Sequence, residues 1–532
     1  MKKLISFLIL LCLLPALKSN AQDTPIEKGL KSITDEVLKA QLGFLASDWT
    51  EGRMIGERGA SLSADYIISI LQIYGVKPGG DFVTSRNNAN DAVKKDRSWF
   101  QNFVLLRSIP GEQELSLRSS DASHTRTIFF NRNTDFYLRP TENSVEVEAP
   151  VVFTGHGFIN RKLKYNDFDK ADIRGKFILK ISGIPSSLRE SLTREEIMSS
   201  NIETETAIRE MGAAGILEVN PQNLTVGNIE RPDFEIMSPA EGNPRQGRQS
   251  ANYSLAGKKT ADNIIRIGIS VKTANEILKG SGITIEDYIK NEDAGETPLK
   301  PVLKDRIINL KSMTTTTQVP VKNIIGIIEG SNPGPAIVLG AHYDHLGMGN
   351  GYIWNGADDN GSGTVGVMTL AKAIMETGKR PDRTIIVALW TAEEEGLLGS
   401  RYFVQNLSNP VKDVKLNLNF DMIARYISPT DTKKVTMTYT SAYPAFHDLT
   451  AGNIKKYGIN LVVDYQPSSD PPGGSDHRSF VAAGIPIMRF KPGHREEYHT
   501  PKDEINTINW DIMKEIIKIS FANTWELANS NW

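Results

Sequence analysis

The sequence predicts an α/β protein in which a mostly parallel mixed sheet is flanked by helices and a smaller domain rich in β-structure is inserted. Two observations support this fold class. From residue 323 to the end, apolar runs alternate with helical patterns, as in a parallel sheet covered on both faces. Between residues 126 and 299, short β-branched or aromatic runs are separated by turns, which is typical of a separate small domain.

The composition is that of an ordinary globular protein. The chain has 532 residues, of which 39% are hydrophobic and 23% charged, and this excludes a disordered or collagen-like chain. The formal net charge is −2 and no long basic run occurs, so no nucleic-acid partner is expected. The single cysteine excludes an intramolecular disulfide and a cysteine-rich zinc site.

Residues 1–21 have the pattern of a secretory signal peptide. Lys2 and Lys3 precede an apolar stretch over residues 4–17, and small residues suited to cleavage follow at 19–21. A membrane anchor is the alternative, but the apolar stretch is shorter than the roughly 20 residues that span a bilayer. No other stretch is long and apolar enough for a membrane span. We therefore expect a secreted or periplasmic protein.

The N-terminal part of the main domain is expected to cover residues 22–125. Apolar residues recur at helical spacing over residues 35–46 and 60–74, which predicts two amphipathic helices. Residues 85–98 are polar and predict an exposed loop. This part would pack against the C-terminal half of the same domain.

The inserted domain is expected to cover residues 126–299, and the catalytic domain residues 300–532. The clearest features of the insert are strands at 151–153 and 177–179 and a helix at 203–211. In the last domain the expected strands are 323–328, 336–339, 384–389, 416–420 and 485–488. The expected helices are 363–376, 445–457 and 510–527.

Polar groups that can bind metals follow four of these strands. They are His342 and Asp344, Glu393 and Glu394, Asp421, and, after a loop, Tyr498 and His499. Asp359 lies in the loop before a helix. Each group alone has an ordinary explanation, such as a helix cap or a turn. Together they favour one crevice, because ligands bind beyond the carboxyl ends of strands in open α/β sheets.

The ordered motifs of this region resemble those of a known family. They are GAHYD at 340–344, GADDNGSG at 356–363, AEEEGL at 392–397, NFDM at 419–422, SDH at 475–477 and HTPKD at 499–503. This set is similar to that of the co-catalytic zinc aminopeptidases of clan MH, which include secreted bacterial aminopeptidases, glutamate carboxypeptidase and the transferrin receptor. The insert resembles the protease-associated domain of some members, and residues 42–80 resemble their N-terminal helical part.

The resemblance implies two Zn²⁺ ions per chain. The implied ligands of the first ion are His342, Asp359 and Asp421. Those of the second are Asp359, Glu394 and His499, so that Asp359 bridges the two. Asp344 would fix the tautomer of His342. The resemblance gives no metal to the nearby His345, His477 and His494, and Asp503 would cap a helix or hold the loop of His499.

The implied activity is that of a secreted di-zinc exopeptidase, most simply an aminopeptidase acting on peptides. Glu393 would be the general base that forms a metal-bridging hydroxide, and Tyr498 an oxyanion donor or an aromatic wall of the pocket. A carboxypeptidase of the same family, a glutaminyl cyclase and a non-catalytic receptor remain as alternatives. Asp359 lies only 17 positions after His342 and the insert precedes every ligand, which favours the aminopeptidase.

Overall fold

The computed structural model describes most of the chain. The described residues are 23–85, 94–120, 124–169, 171–221, 251–257, 264–296, 299–349, 351–407, 413–426, 428–493 and 496–532. The expected signal peptide and His494 lie outside these ranges. Among the helices that are described, none is both long enough and apolar enough to cross a bilayer.

Helices and strands alternate along the described chain. The α-helices are α1 (Pro25–Lys31), α2 (Asp35–Leu45), α3 (Arg58–Ile73), α4 (Arg194–Glu210), α5 (Val271–Leu278), α6 (Ile285–Asp293), α7 (Gly363–Glu376), α8 (Leu398–Gln405), α9 (Ala445–Tyr457), α10 (His477–Ala482) and α11 (Trp510–Ala528). The first strands are β1 (Lys77–Pro78), β2 (Phe82–Ser85), β3 (Lys94–Arg97), β4 (Phe100–Ser120), β5 (Thr125–Phe130), β6 (Phe136–Leu138), β7 (Val145–Phe153), β8 (Ile159–Asn160), β9 (Tyr165–Asn166), β10 (Phe177–Ile181), β11 (Gly215–Val219), β12 (Asn252–Leu255) and β13 (Arg266–Ile269). The remaining strands are β14 (Arg306–Ile328), β15 (Asn332–His342), β16 (Gly347–Gly349), β17 (Tyr352–Trp354), β18 (Arg383–Trp390), β19 (Val414–Asn419), β20 (Lys434–Thr440), β21 (Val462–Ser468) and β22 (Ile487–Lys491).

The main sheet has the mixed α/β architecture expected from the sequence. Its strand order is β21-β20-β22-β19-β15-β18-β14, and the four strands from β22 to β18 are parallel to one another. One face packs against α2, α3, α7 and α11, and the other against α8 and α10. Because both faces are covered, the central strands read as continuous apolar runs, and this explains why the sequence revealed them.

Two long strands connect the main sheet to the inserted region. β4 and β14 pair in antiparallel fashion from Phe100 and Ile324 at one end to Ser119 and Arg306 at the other. In the insert, β7, β10, β11 and β13 are parallel, and β6 pairs antiparallel with β13. Leu115 of β4 lies in the hydrophobic core of the insert. The long strands therefore belong to both parts of the molecule.

Two local expectations were wrong. The polar segment expected to be a loop contains β3, which pairs with β2 as a short hairpin. Charged residues are tolerated there because the pair is not part of a buried sheet. In the insert, α4 begins at Arg194, well before the expected start at 203. Thr193 and Glu196 form a capping box at its N-terminus, a signal that is visible in the sequence.

Candidate active site

The carboxyl ends of the central strands bring the motif residues to one edge of the sheet. β15 ends at His342, β18 at Trp390 and β19 at Asn419, and these parallel strands place their following loops side by side. Asp421 therefore lies in the same crevice as His342. All of the sequence-derived candidates other than Tyr498 and Glu393 are fully or almost fully buried.

The first group of possible ligands surrounds His342. Its Nε2 lies 3.5 Å from Oδ1 of Asp359 and 3.9 Å from Oε2 of Glu393. Ligand atoms of His342, Glu393 and Asp421 lie within 4.8 Å of one another. The Nδ1 atom of His342 donates to the backbone oxygen of Asp344 at 3.2 Å, which leaves Nε2 free to face the group.

The second group surrounds Glu394. His499 Nε2 lies 2.9 Å from Oδ2 of Asp359 and 3.3 Å from Oε2 of Glu394. Asp359 thus faces His342 with one oxygen and His499 with the other, which is the arrangement of a bridging carboxylate. The ring of Tyr498 stacks on that of His499, with ring centroids 3.8 Å apart.

His345 also belongs to this second group, although the family resemblance implied no metal ligand at this position. Its Nδ1 lies 2.8 Å from Oε1 of Glu394 and 3.9 Å from Oδ2 of Asp359. A Cβ atom at Gly356 would lie 2.4 Å from Cδ2 of this ring, so a glycine is required there. The only sequence signal was its position directly after Asp344.

The carboxylate of Asp344 organises the glutamate loop. It accepts hydrogen bonds from the backbone N–H of Glu393 at 3.2 Å and of Glu394 at 3.4 Å. Its Oδ1 is 3.8 Å from Nδ1 of His342, beyond hydrogen-bond distance. The tautomer of His342 is thus set by the backbone carbonyl of Asp344, and the side chain instead fixes the two glutamates.

Asp503 holds the loop that carries Asp359. Its carboxylate accepts the backbone N–H of Asp358 and of Asp359, each at 2.9 Å, and pairs with Arg425 at 2.6 Å. Asp503 was expected to cap a helix or to hold the loop of His499. Its backbone N–H does donate to Thr500 of that loop at 3.2 Å, and its carboxylate adds the contact with the loop of Asp359. The two hydrogen bonds to this carboxylate hold the backbone of Asp358 and Asp359 in place.

Arg53 is a further positioning residue that the sequence did not reveal. Its buried guanidinium donates to the backbone oxygens of Tyr343 at 2.9 Å, Asn355 at 2.6 Å and Gly356 at 2.9 Å. Tyr343 directly follows His342, and Asn355 and Gly356 precede Asp359, so Arg53 connects the two loops that carry these candidate ligands. Arg53 is separated from Tyr343 by 290 positions, so no local pattern could indicate the contact.

The carboxylates of the crevice differ in the direction in which their pKa values are shifted. Burial and the neighbouring Glu394 raise the pKa of Glu393 well above its usual range. Burial acts in the same direction on Asp421, but Lys491 and His342 outweigh it and lower the pKa of Asp421 to about 2. His499 and His345 likewise overcome burial and hold the pKa of Glu394 well below its usual range.

The donor set fits divalent zinc. Imidazole nitrogens and carboxylate oxygens are common zinc ligands, and the two groups each offer a histidine and at least two carboxylates. Buried carboxylates packed this closely repel one another unless cations neutralise them. The oxygens of Asp359 face both groups, so one residue can serve two ions.

Comparison with known proteins agrees with the site. Residues 323–524 match the sequence profile described as peptidase family M28. Leucine aminopeptidase 2 from Trichophyton rubrum is 35% identical over 169 residues, which are 31% of this chain and 32% of the relative. Leupeptin-inactivating enzyme 1 from Streptomyces exfoliatus is 32% identical over 170 residues, which are 31% of this chain and 34% of that protein. The chain thus spans about a third of the length of these curated relatives.

The fold is shared over almost the whole length with a solved structure. An aminopeptidase from Aneurinibacillus sp. strain AM-1 aligns with 95% of this chain and 97% of its own, with a TM-score of 0.55 and 18% sequence identity. The match to peptidase family M28 covers residues 323–524, the segment that carries every candidate ligand.

Proposed function

We propose that this protein is a zinc aminopeptidase that removes N-terminal residues from peptides and binds two zinc ions. The observation that carries the proposal is the placement of Asp359, whose two oxygens face His342 and His499 in a crevice within the M28 segment. The curated relatives named leucine aminopeptidase support the choice of an aminopeptidase.

Each ion has its own histidine in this proposal. The first would be held by His342, Asp421 and Asp359. The second would be held by Asp359, Glu394 and His499, with His345 in contact with Glu394. Bound zinc supplies Lewis acidity, which lowers the pKa of water and polarises the scissile carbonyl group.

Side chains of the protein would then accept and donate the protons of the reaction. Glu393 is partly exposed to the crevice. Its raised pKa makes the ionised carboxylate a stronger base, which would accept a proton from water and pass it to the leaving amine. Asp344 holds the backbone of Glu393 in place for this step. The hydroxyl group of Tyr498 is a candidate donor to the oxygen that gains negative charge, because its ring packs against His499.

A panel of blocked and unblocked substrates tests the proposal. We expect the zinc-loaded protein to hydrolyse leucine p-nitroanilide and to leave N-acetyl-leucine p-nitroanilide intact, with activity lost after chelation and regained with zinc. Hydrolysis confined to peptides with blocked N-termini would indicate the carboxypeptidase alternative. Cyclisation of N-terminal glutamine would indicate the cyclase, and complete inactivity a receptor.

We also propose that the protein is exported and that residues 126–299 form a protease-associated domain. The basic start and apolar stretch of residues 1–21 support export. The separate hydrophobic core of the insert, built on four parallel strands, supports an independent domain. N-terminal sequencing of the mature protein should begin at Gln22, and an uncleaved N-terminus would contradict export by this route.

A further inference from the structure

Two cations on β22 flank the candidate metal centre. Arg489 is paired in register with Asn419 of the neighbouring parallel strand. Side chains on one face of a strand repeat every two residues, so Lys491 lies on the same face of β22 as Arg489. Asp421 follows the end of the neighbouring strand β19. Adjacent strands lie about 5 Å apart.

Arg489 is buried, and Asp421, the carboxylate that attracts it, is not in direct contact with it. The side chain of Arg489 is 8% exposed, and in the described part of the chain no carboxylate lies within 4 Å of its guanidinium. Its hydrogen-bond partner is His477, whose Nδ1 lies 3.3 Å from Nη1. The Nε2 of His477 donates to the backbone oxygen of Pro472, and burial together with Arg489 lowers the pKa of this histidine to about 3. The partner is thus neutral.

The guanidinium lies directly beneath an exposed loop. A Cβ atom at Gly473 would be 2.9 Å from Nη1 of Arg489, and Gly473 itself is exposed. Lys491 is partly exposed, and its Nζ lies 3.7 Å from the sulfur of Met422, the residue after Asp421. A buried cation with no carboxylate in contact is costly. Zinc bound at Asp421 would take up the charge of the carboxylate that attracts Arg489 and Lys491, so the pair favours an anionic ligand.

We propose that Arg489 and Lys491 bind a carboxylate of the substrate beside the metal centre, an inference that rests on the proposed peptidase function. A guanidinium offers parallel N–H donors that match a carboxylate, and a nearby ammonium adds charge. The carboxylate comes from one of two sources: the side chain of an N-terminal glutamate or aspartate, or the free C-terminus of a short peptide.

Matched substrates distinguish the two sources. Glutamyl and glutaminyl p-nitroanilide differ only in the side-chain carboxylate, and leucyl-glycine and leucyl-glycinamide differ only in the C-terminal carboxylate. In one of these pairs we expect kcat/KM to be about 10- to 100-fold higher for the acidic member. Arg489→Met and Lys491→Met should each reduce this preference, because kcat/KM should fall more for the acidic member than for the neutral one.

A control variant and a binding measurement separate the possible failures. In Arg478→Met the lost charge is one already paired with Asp470, so the preference should persist. Equal kcat/KM within both pairs, or an equal loss on all substrates in Arg489→Met, would overturn the inference while hydrolysis itself upholds the peptidase. If no substrate is hydrolysed, calorimetry on the zinc-loaded protein decides. Tighter binding of glutamate or leucyl-glycine than of the corresponding neutral amide, with the difference lost in Arg489→Met, supports the carboxylate site even if the peptidase proposal fails. Equal binding of the acid and its amide overturns the carboxylate site.

Discussion

Replacement of Glu393 by alanine is expected to abolish turnover while the protein retains its zinc. The carboxylate stands at the open side of the crevice, and its raised pKa makes the ionised form a stronger base. Loss of a general base lowers the rate by about 10²- to 10⁴-fold. The measurement is kcat on leucine p-nitroanilide together with metal analysis of the same preparation.

Two companion variants sharpen this result. Glu393→Gln keeps the shape of the side chain but cannot accept the proton, so it should be as inactive as the alanine variant. Glu395→Ala removes a carboxylate two positions further on and should retain activity near that of the wild type. An active Glu393→Ala variant would exclude this residue as the base, and a variant depleted of zinc would make it a ligand instead.

Replacement of Asp359 by alanine is expected to remove both zinc ions and all activity. Its oxygens face His342 at 3.5 Å and His499 at 2.9 Å, so neither ligand group is complete without it. The variant removes a partner of His499, but Glu394 remains 3.3 Å from the same nitrogen, so the metal-free protein should stay folded. Zinc content and a thermal unfolding curve measure the two effects separately.

The control for Asp359 is an exposed aspartate. Asp511 lies at the start of α11 with its side chain 91% exposed, and Asp511→Ala should keep both ions. If Asp359→Ala still binds two zinc ions, the bridging assignment is wrong. If it binds one ion tightly, Asp359 belongs to a single group.

The fold could be predicted where burial leaves a periodic pattern. The expected bounds of α7 and α9 match the structure, and the central strands were recognised because both of their faces are apolar. The long strand β4 was not recognised, and of β14 only the end at 323–328 was expected. They run for 21 and 23 residues, far beyond the usual strand of about 5–6, and threonines and prolines interrupt their alternation.

The candidate site, like the fold, could be predicted from the sequence only in part. His342, Glu394 and Asp421 could be proposed because each follows a strand whose carboxyl end must face the crevice. Arg53 reaches the site from a distant segment and binds backbone oxygens, so no spacing in the sequence marks it. Asp503 lies in the motif of His499, but its contact with the backbone of Asp359, 144 positions away, was not expected. Arg489 was overlooked because a single cation in a buried strand has no motif.

Zinc titration of the metal-free protein tests the central claim most directly. The two ligand groups and the shared Asp359 predict that activity on leucine p-nitroanilide rises with added zinc and reaches its maximum at two equivalents per chain. Full activity at one equivalent would contradict the two-ion centre. Activity that does not depend on zinc at any ratio would contradict the assignment of the crevice as a zinc peptidase site.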